Sequence, residues 1–187
     1  MQLSCNTKRL LLRVLTPANA GLVLEYYKEN EGFLDAYEPL KTDNFYTESY
    51  HRTNLSAEFN ATVQKTYLRY WFSLRDEPDK LIGTLCFSNF QHGVFKRCSL
   101  GYKVHKDYLR QGYATEAVTF AMQIIFSEYD IHRIEAIVQP DNLPSIALLQ
   151  SLGFEQEGYL KEVAQVDGVW TDHLLYAIRS QTPPYPG

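Results

Sequence analysis

From Gly112 to Glu128 the chain carries Ala114, Ala117, Val118, Ala121, Ile124 and Ile125 at the spacing of one buried stripe, the pattern of a helix with a single face in a core. A helix apolar on one side only needs another layer to lie against, and the flanking segments read as strands. Tyr70–Leu74 and Leu81–Phe87 are rich in β-formers and are separated by the turn Glu77-Pro78-Asp79-Lys80, so they predict a hairpin. Cys98–His105 predicts a third strand before the helix, and Arg133–Gln139 another after it.

Toward the start, Arg9–Leu15 reads as an opening strand, and Thr16-Pro17 offers a cap and first-turn proline for a helix burying Ala20, Val23, Leu24 and Tyr27. Glu31 to about Thr47 reads as a long irregular connection, which in a compact domain is more often functional than decorative. A second helix is expected from about Glu48 to Leu68. Asp141-Asn142-Leu143-Pro144 has the cap chemistry of a further helix, carrying Ile146, Leu149 and Leu152, that Gly153 would end. Asp167-Gly168 predicts a hairpin between strands near Tyr159–Val166 and Trp170–Ile178. These elements predict one α+β domain over residues 1–182, a mixed, mostly antiparallel sheet flanked by helices, followed by a Pro-rich tail at 183–187.

A net charge of −4 gives no electrostatic footprint for nucleic acid or an anionic membrane, and no apolar run approaches a membrane span. The first twenty residues lack the continuous apolar centre of a signal peptide. Cys5, Cys86 and Cys98 form no CxxC and have no His at metal spacing, so no metal site and no disulfide framework is expected. The expectation is a cytoplasmic protein with reduced thiols.

The chemistry concentrates where a strand passes through a short loop into the long helix: Gly101-Tyr102-Lys103-Val104, then Leu109-Arg110-Gln111-Gly112-Tyr113-Ala114-Thr115-Glu116-Ala117. Unpaired amides and the helix dipole make such a junction an anion site, and a glycine lets a phosphate approach the main chain. By itself one glycine before a helix also describes a tight turn. The segment resembles the acetyl-CoA signature of the GNAT superfamily, Gln/Arg-x-x-Gly-x-Gly/Ala, with Gly112 and Ala114 on the small positions, Leu109 where Gln or Arg is usual, and Arg110 where glycine is often found next. The likeness extends to the RimJ/RimL branch through Thr7–Arg13, Leu81–Thr84, Ile131–Ala136, Asp141–Ser145, Leu152–Tyr159 and Asp167–His173, in that order.

The resemblance implies a GNAT-type fold and acetyl-CoA as co-substrate. It places the pyrophosphate on Leu109, Arg110, Gln111, Gly112, Tyr113, Ala114 and Thr115, and the pantetheine arm on Asn142. Main-chain N–H groups around Tyr102, Lys103 and Val104 would meet the thioester oxygen in an oxyanion-hole arrangement. Ser145 falls at the position that faces the leaving sulfur in RimL relatives and is the candidate catalytic residue. Asn142 and Ser145 also read as a cap and a first-turn residue. A bulky residue at 112 is expected to block the pyrophosphate while leaving the helix formed.

The relatives' carboxylate base, two residues before the Gly-Tyr pair, is here Ser99, so no base carries over. Glu116 is explained by the helix dipole alone, and His92, His105, His132 and His173 read as structural. Seven carboxylates between Glu25 and Glu48 face only Lys28 and Lys41 and would draw in a cationic amine, unless several merely coat a solvated surface. An α-amine titrates near 7.7–8.0, whereas a lysine near 10.4 needs about 4.6 kcal/mol of deprotonation at pH 7, so a chain without a carboxylate base suits an α-amine better. The expected acceptor is a protein N-terminus, as the RimJ likeness implies that of a ribosomal protein, with the enzyme a monomer or homodimer. A small-amine acetyltransferase and a non-catalytic acyl-CoA-binding module are the alternatives.

Overall fold

A computed structural model describes residues 2–180, so the expected tail at 183–187 lies outside the described residues. The chain runs β1 (Ser4–Asn6), β2 (Leu10–Arg13), α1 (Ala20–Glu29), α2 (Glu48–Val63), β3 (Leu68–Leu74), β4 (Leu81–Gln91), β5 (Arg97–Val104), α3 (Tyr113–Glu128), β6 (Arg133–Val138), α4 (Leu143–Ser151), β7 (Glu155–Val166) and β8 (Val169–Arg179). The strands form one eight-stranded sheet in the order β1-β2-β3-β4-β5-β6-β8-β7. Every pairing is antiparallel except β5 with β6, so the expected α+β architecture with a mostly antiparallel sheet holds.

Two cores occupy the two faces. On one, α3 lays Ala117, Val118, Ala121 and Ile125 against Leu12, Phe72, Leu85 and Phe87, all nearly or fully buried. Each buried Val, Leu, Ile or Phe among them contributes about 1.5–3 kcal/mol, and each Ala less. On the other, α1 and α2 pack Val23, Tyr26, Tyr27 and Leu55 on Trp71 and Leu81. Alternation along β3 produces both cores, since Tyr70 and Phe72 join the first and Trp71 the second.

Three local readings shift. Pro17–Asn19 forms a short 3₁₀ turn, so α1 begins at Ala20 and buries Tyr26 rather than Leu24. Helix α2 stops at Val63 rather than near Leu68, with Lys65 left-handed at φ 57°. The strand β1 was not foreseen; it is three residues long and is defined by its pairing with β2 rather than by any pattern of its own. Among the described residues no helix is long and apolar enough to cross a membrane.

Candidate functional site

The parallel contact between β5 and β6 is short. It covers Arg97, Cys98 and Ser99 against Arg133, Ile134 and Glu135, whereas β5 stays paired with β4 through Val104 and β6 with β8 through Val138. The sheet therefore splits, and β5 beyond Ser99 shows an open edge. The His105 N–H bonds the Ile82 carbonyl at 2.8 Å, which sets the phase of the β4–β5 ladder. Hydrogen-bonded and non-bonded pairs alternate in an antiparallel ladder, so Tyr102 and Val104 turn their main-chain groups away from β4 and into the split.

A cavity of about 210 Å³ fills the split, lined among others by Tyr37, Tyr102, Lys103, Asn142, Ser145 and His173. Because β5 and β6 are parallel, both release their chains at the same edge of the sheet, β5 toward α3 and β6 toward α4. The N-termini of α3 and α4 thus flank one mouth. Of the sequence-predicted residues, Tyr102, Lys103, Asn142 and Ser145 line the cavity itself. Leu109 to Thr115 form the adjoining loop and first turn of α3, where Gly112 and Thr115 border an open groove with Arg9.

Gly112 is the N-cap of α3 at φ 77° and has no side chain to offer as a cap, so the first amides of the helix face outward. Any side chain there is strained by the left-handed backbone, and a Cβ would stand 3.4 Å from the Arg9 guanidinium. The expectation that a bulky residue at 112 leaves the helix formed therefore carries a cost in stability. Arg110 is also left-handed, at φ 58°, the conformation that glycine adopts without cost.

Sequence reasoning missed Arg9, for which no local pattern exists. Its guanidinium donates to the Gln111 carbonyl at 2.8 Å, pairs with Glu116 at 2.6 Å and lies over the Tyr113 ring at 4.5 Å. Glu116 also accepts from the Thr7 hydroxyl and the Arg9 N–H, at 2.5 and 2.7 Å. Burial opposes ionisation of Glu116, but these hydrogen bonds outweigh it and hold its pKa below the ordinary value. The carboxylate is a tie between the β1–β2 turn and α3.

Asn142 caps α4, its Oδ1 accepting from the Ser145 N–H at 3.2 Å, which leaves its amide NH₂ available to a ligand in the cavity. Ser145 Oγ stands 2.6 Å from Tyr102 Oη, and Tyr102 also donates to the Ser145 carbonyl at 3.1 Å. Burial pushes the Tyr102 phenol up to about 12, the Ser145 hydrogen bond offsetting part of it. The sequence offered Tyr102 only for its main chain.

On the opposite face of β5 the Lys103 ammonium pairs with the buried carboxylate of Glu38. Glu38 belongs to the long α1–α2 connection, whose carbonyl at 38 accepts from Asp167 N–H at 3.0 Å in the β7–β8 turn. Leu40 packs so closely on that turn that a Cβ on Gly168 would meet it at 2.7 Å. The connection is thus a strap across this face of the split. Of the seven carboxylates, Asp35, Glu38 and Glu48 are paired with Lys41, Lys103 and Arg52 and Glu29 is hydrogen-bonded to His105, so Lys103 and Arg52, from outside the segment, weaken the field at the mouth below the formal balance.

His105 and Cys98 resolve into structure. His105 takes the Asp107 N–H on Nδ1 and bonds Glu29 through Nε2 at 3.0 Å, fastening β5 to α1. Burial pushes the Cys98 thiol up to about 12, too high for a nucleophile at neutral pH. Among the described residues no group of three or more His, Cys, Asp or Glu is placed to hold a metal ion.

Comparison with known proteins shows the family. Residues 9–155 match the family described as an acetyltransferase (GNAT) domain. The chain is 36% identical over 175 residues to the [ribosomal protein uS5]-alanine N-acetyltransferase of Escherichia coli (strain K12), covering 92% of this chain and 88% of that one. A ribosomal-protein-S5-alanine acetyltransferase from Vibrio fischeri superposes with a TM-score of 0.90 at 25% identity, over 96% of this chain and 98% of that one. Mycobacterium smegmatis RimJ in complex with CoA-disulfide does so with a TM-score of 0.84 at 30% identity, over 92% and 82%.

Proposed function

The chain belongs to the GNAT acetyltransferase family and is an acetyl-CoA-dependent N-acetyltransferase, and from that premise we propose that its acceptor is the α-amine of a protein N-terminus, that of a ribosomal protein. The observation that carries the reading is the split between β5 and β6, with an uncapped helix terminus and a hydroxyl pair at one edge and a strapped opening on the other face.

The outward amides of the α3 terminus hold the pyrophosphate of coenzyme A through main-chain contacts, with the glycine at 112 keeping the approach open. Such contacts do not depend on the side chains of Leu109, Arg110 and Gln111, which suits a chain that departs from the usual signature there. The Asn142 amide and the open edge of β5 take the pantetheine arm in the manner of an added strand, and the N–H groups of Tyr102 and Val104 stabilise the negative charge that develops on the thioester oxygen. The Tyr102–Ser145 pair lies where the sulfur leaves and passes it a proton. A thiol near 8.5 is already a tolerable leaving group, so this donor assists rather than enables.

The relative in Escherichia coli is named for an alanine α-amine of a ribosomal protein, and the deprotonation argument favours an α-amine over a lysine. Peptides with a free α-amine, or with that amine blocked and only lysine free, test the reading at pH 7. The free α-amine should react at least a hundredfold faster, and mass spectra should place acetyl on residue 1 of the peptide. Equal rates, or preferential acetylation of small amines, would return the small-molecule alternative. Absence of thiol release with every amine would leave an acyl-CoA-binding module.

A further inference from the structure

The reaction gains from a group that takes the proton of the attacking ammonium, and three carboxylates around the split are engaged. Glu38 is paired with Lys103. Glu135, opposite Ser99 in the β5–β6 register, is held by Arg133 at 2.7 Å and Arg97 at 3.3 Å. Asp172 accepts from the Tyr159 hydroxyl and the Glu162 N–H, at 2.7 and 2.8 Å. The cavity also contains Tyr37 and Lys103, but phenols and ammonium groups are donors near neutral pH.

His173 is different. It is 6% exposed yet lines the cavity, and its Nδ1 is 3.1 Å from the Thr171 carbonyl. A carbonyl only accepts, so Nδ1 carries a hydrogen, and in the neutral ring Nε2 is then the nitrogen with the lone pair. No other polar group among the described residues bonds Nε2.

The sheet register supplies a second argument. Along β8, Leu174 and Tyr176 pack into the core shared with α3 and α4, so His173 points to the other face, the one strapped by Glu38. Along β5, Tyr102 packs into the α3 core and Lys103 turns toward Tyr27 and Glu38. The hydroxyl pair and His173 therefore stand on opposite faces of one split. A thioester lying in it would present its sulfur to one face and its carbonyl carbon to an amine arriving from the other.

We infer that His173 is the proton acceptor that frees the attacking amine. The inference rests on the acetyl-transfer reading and adds to it the group that the sequence leaves unnamed. Nε2 takes one proton from the R–NH₃⁺ acceptor, and the freed nitrogen lone pair forms the C–N bond to the acetyl carbon. The C–S bond then breaks with its electron pair on sulfur. The thiolate is protonated through Tyr102 and Ser145, which recover a proton from the amide nitrogen by way of water, and the imidazolium returns its proton to solvent. The products are the acetylated amine, free thiol and one proton, so the step balances without any further reactant.

The test is His173→Ala in the full chain, assayed with acetyl-CoA and a peptide that the wild type acetylates. Expected are a fall in kcat of about 10² to 10³, an acetyl-CoA Kd within about twofold of wild type, and partial recovery of rate on adding free imidazole, which a merely structural histidine would not permit. A folded variant with wild-type kcat overturns the inference, as does a slow one that imidazole leaves slow. If the variant does not fold, ¹⁵N-histidine NMR of the wild type decides: an Nδ1–H, Nε2-unprotonated ring whose Nε2 resonance shifts on peptide binding supports the assignment, and an Nε2–H tautomer overturns it. A wild type that acetylates no amine at all would remove the acetyl-transfer reading itself, a result distinct from any of these.

Discussion

Tyr102 Oη lies 2.6 Å from Ser145 Oγ, a contact that joins a central strand to the first turn of α4 across 43 residues of sequence. Each hydroxyl can donate to the other, so on the acetyl-transfer reading the two serve a leaving thiolate as one relay. Ser145→Ala should lower kcat by about 10²-fold at most, with acetyl-CoA affinity and melting temperature little changed. Tyr102→Phe should do the same, and the double variant should be scarcely slower than the worse single one. Steady-state rates across the double-mutant cycle check this, and multiplicative losses would mean that the two act separately.

An acidic residue in the first turn of α3 separates fold from ligand. Thr115 borders the open groove at that terminus, and a carboxylate there complements the helix dipole by about 0.3–1 kcal/mol while repelling a phosphate. Thr115→Asp should melt no lower than wild type and bind acetyl-CoA at least tenfold more weakly in calorimetry. Unchanged affinity would place the pyrophosphate elsewhere.

Glu116 should make part of the stability acid-sensitive. Its folded pKa is depressed, so the stability it contributes is fully present above the ordinary carboxylate range and is lost as pH falls through and below about 4.3. Glu116→Gln should cost about 1–2 kcal/mol at pH 7, as expected for hydrogen bonds to a partly exposed charge. The gap from wild type should close in melts taken toward pH 3.

Arg110 offers the opposite sign. Its φ of 58° is a conformation costly for any residue with a Cβ, and glycine relieves that strain at the expense of some unfolded-state entropy. Arg110→Gly should stabilise the chain by about 0.5–1 kcal/mol, a rise of about 1–4 °C in melting temperature, with acetyl-CoA binding retained. A lower melting temperature would show that the arginine side chain makes a contribution larger than the backbone strain.

Much of this molecule was legible along the chain. The stripe of α3, the cap at Asn142, the turn at Asp167-Gly168 and the glycine at the mouth of the anion site are each encoded within one helix turn or one hairpin, where periodicity and backbone preference act on near neighbours. The likeness of ordered motifs carried the rest of the reading to the acetyltransferase family. What the sequence could not express is where β5 and β6 part, because the split depends on β4 and β8 each holding its neighbour. That one tertiary event leaves the Tyr102 and Val104 main-chain groups facing a gap instead of a neighbouring strand. It also sets Tyr102 against Ser145, and leaves His173 on the opposite face with an open nitrogen. Likewise, one carboxylate of seven, Glu38, closes on Lys103 because the strap crosses the sheet there. These relationships join residues tens of positions apart through the packing of whole layers, and no local pattern distinguishes them from their neighbours.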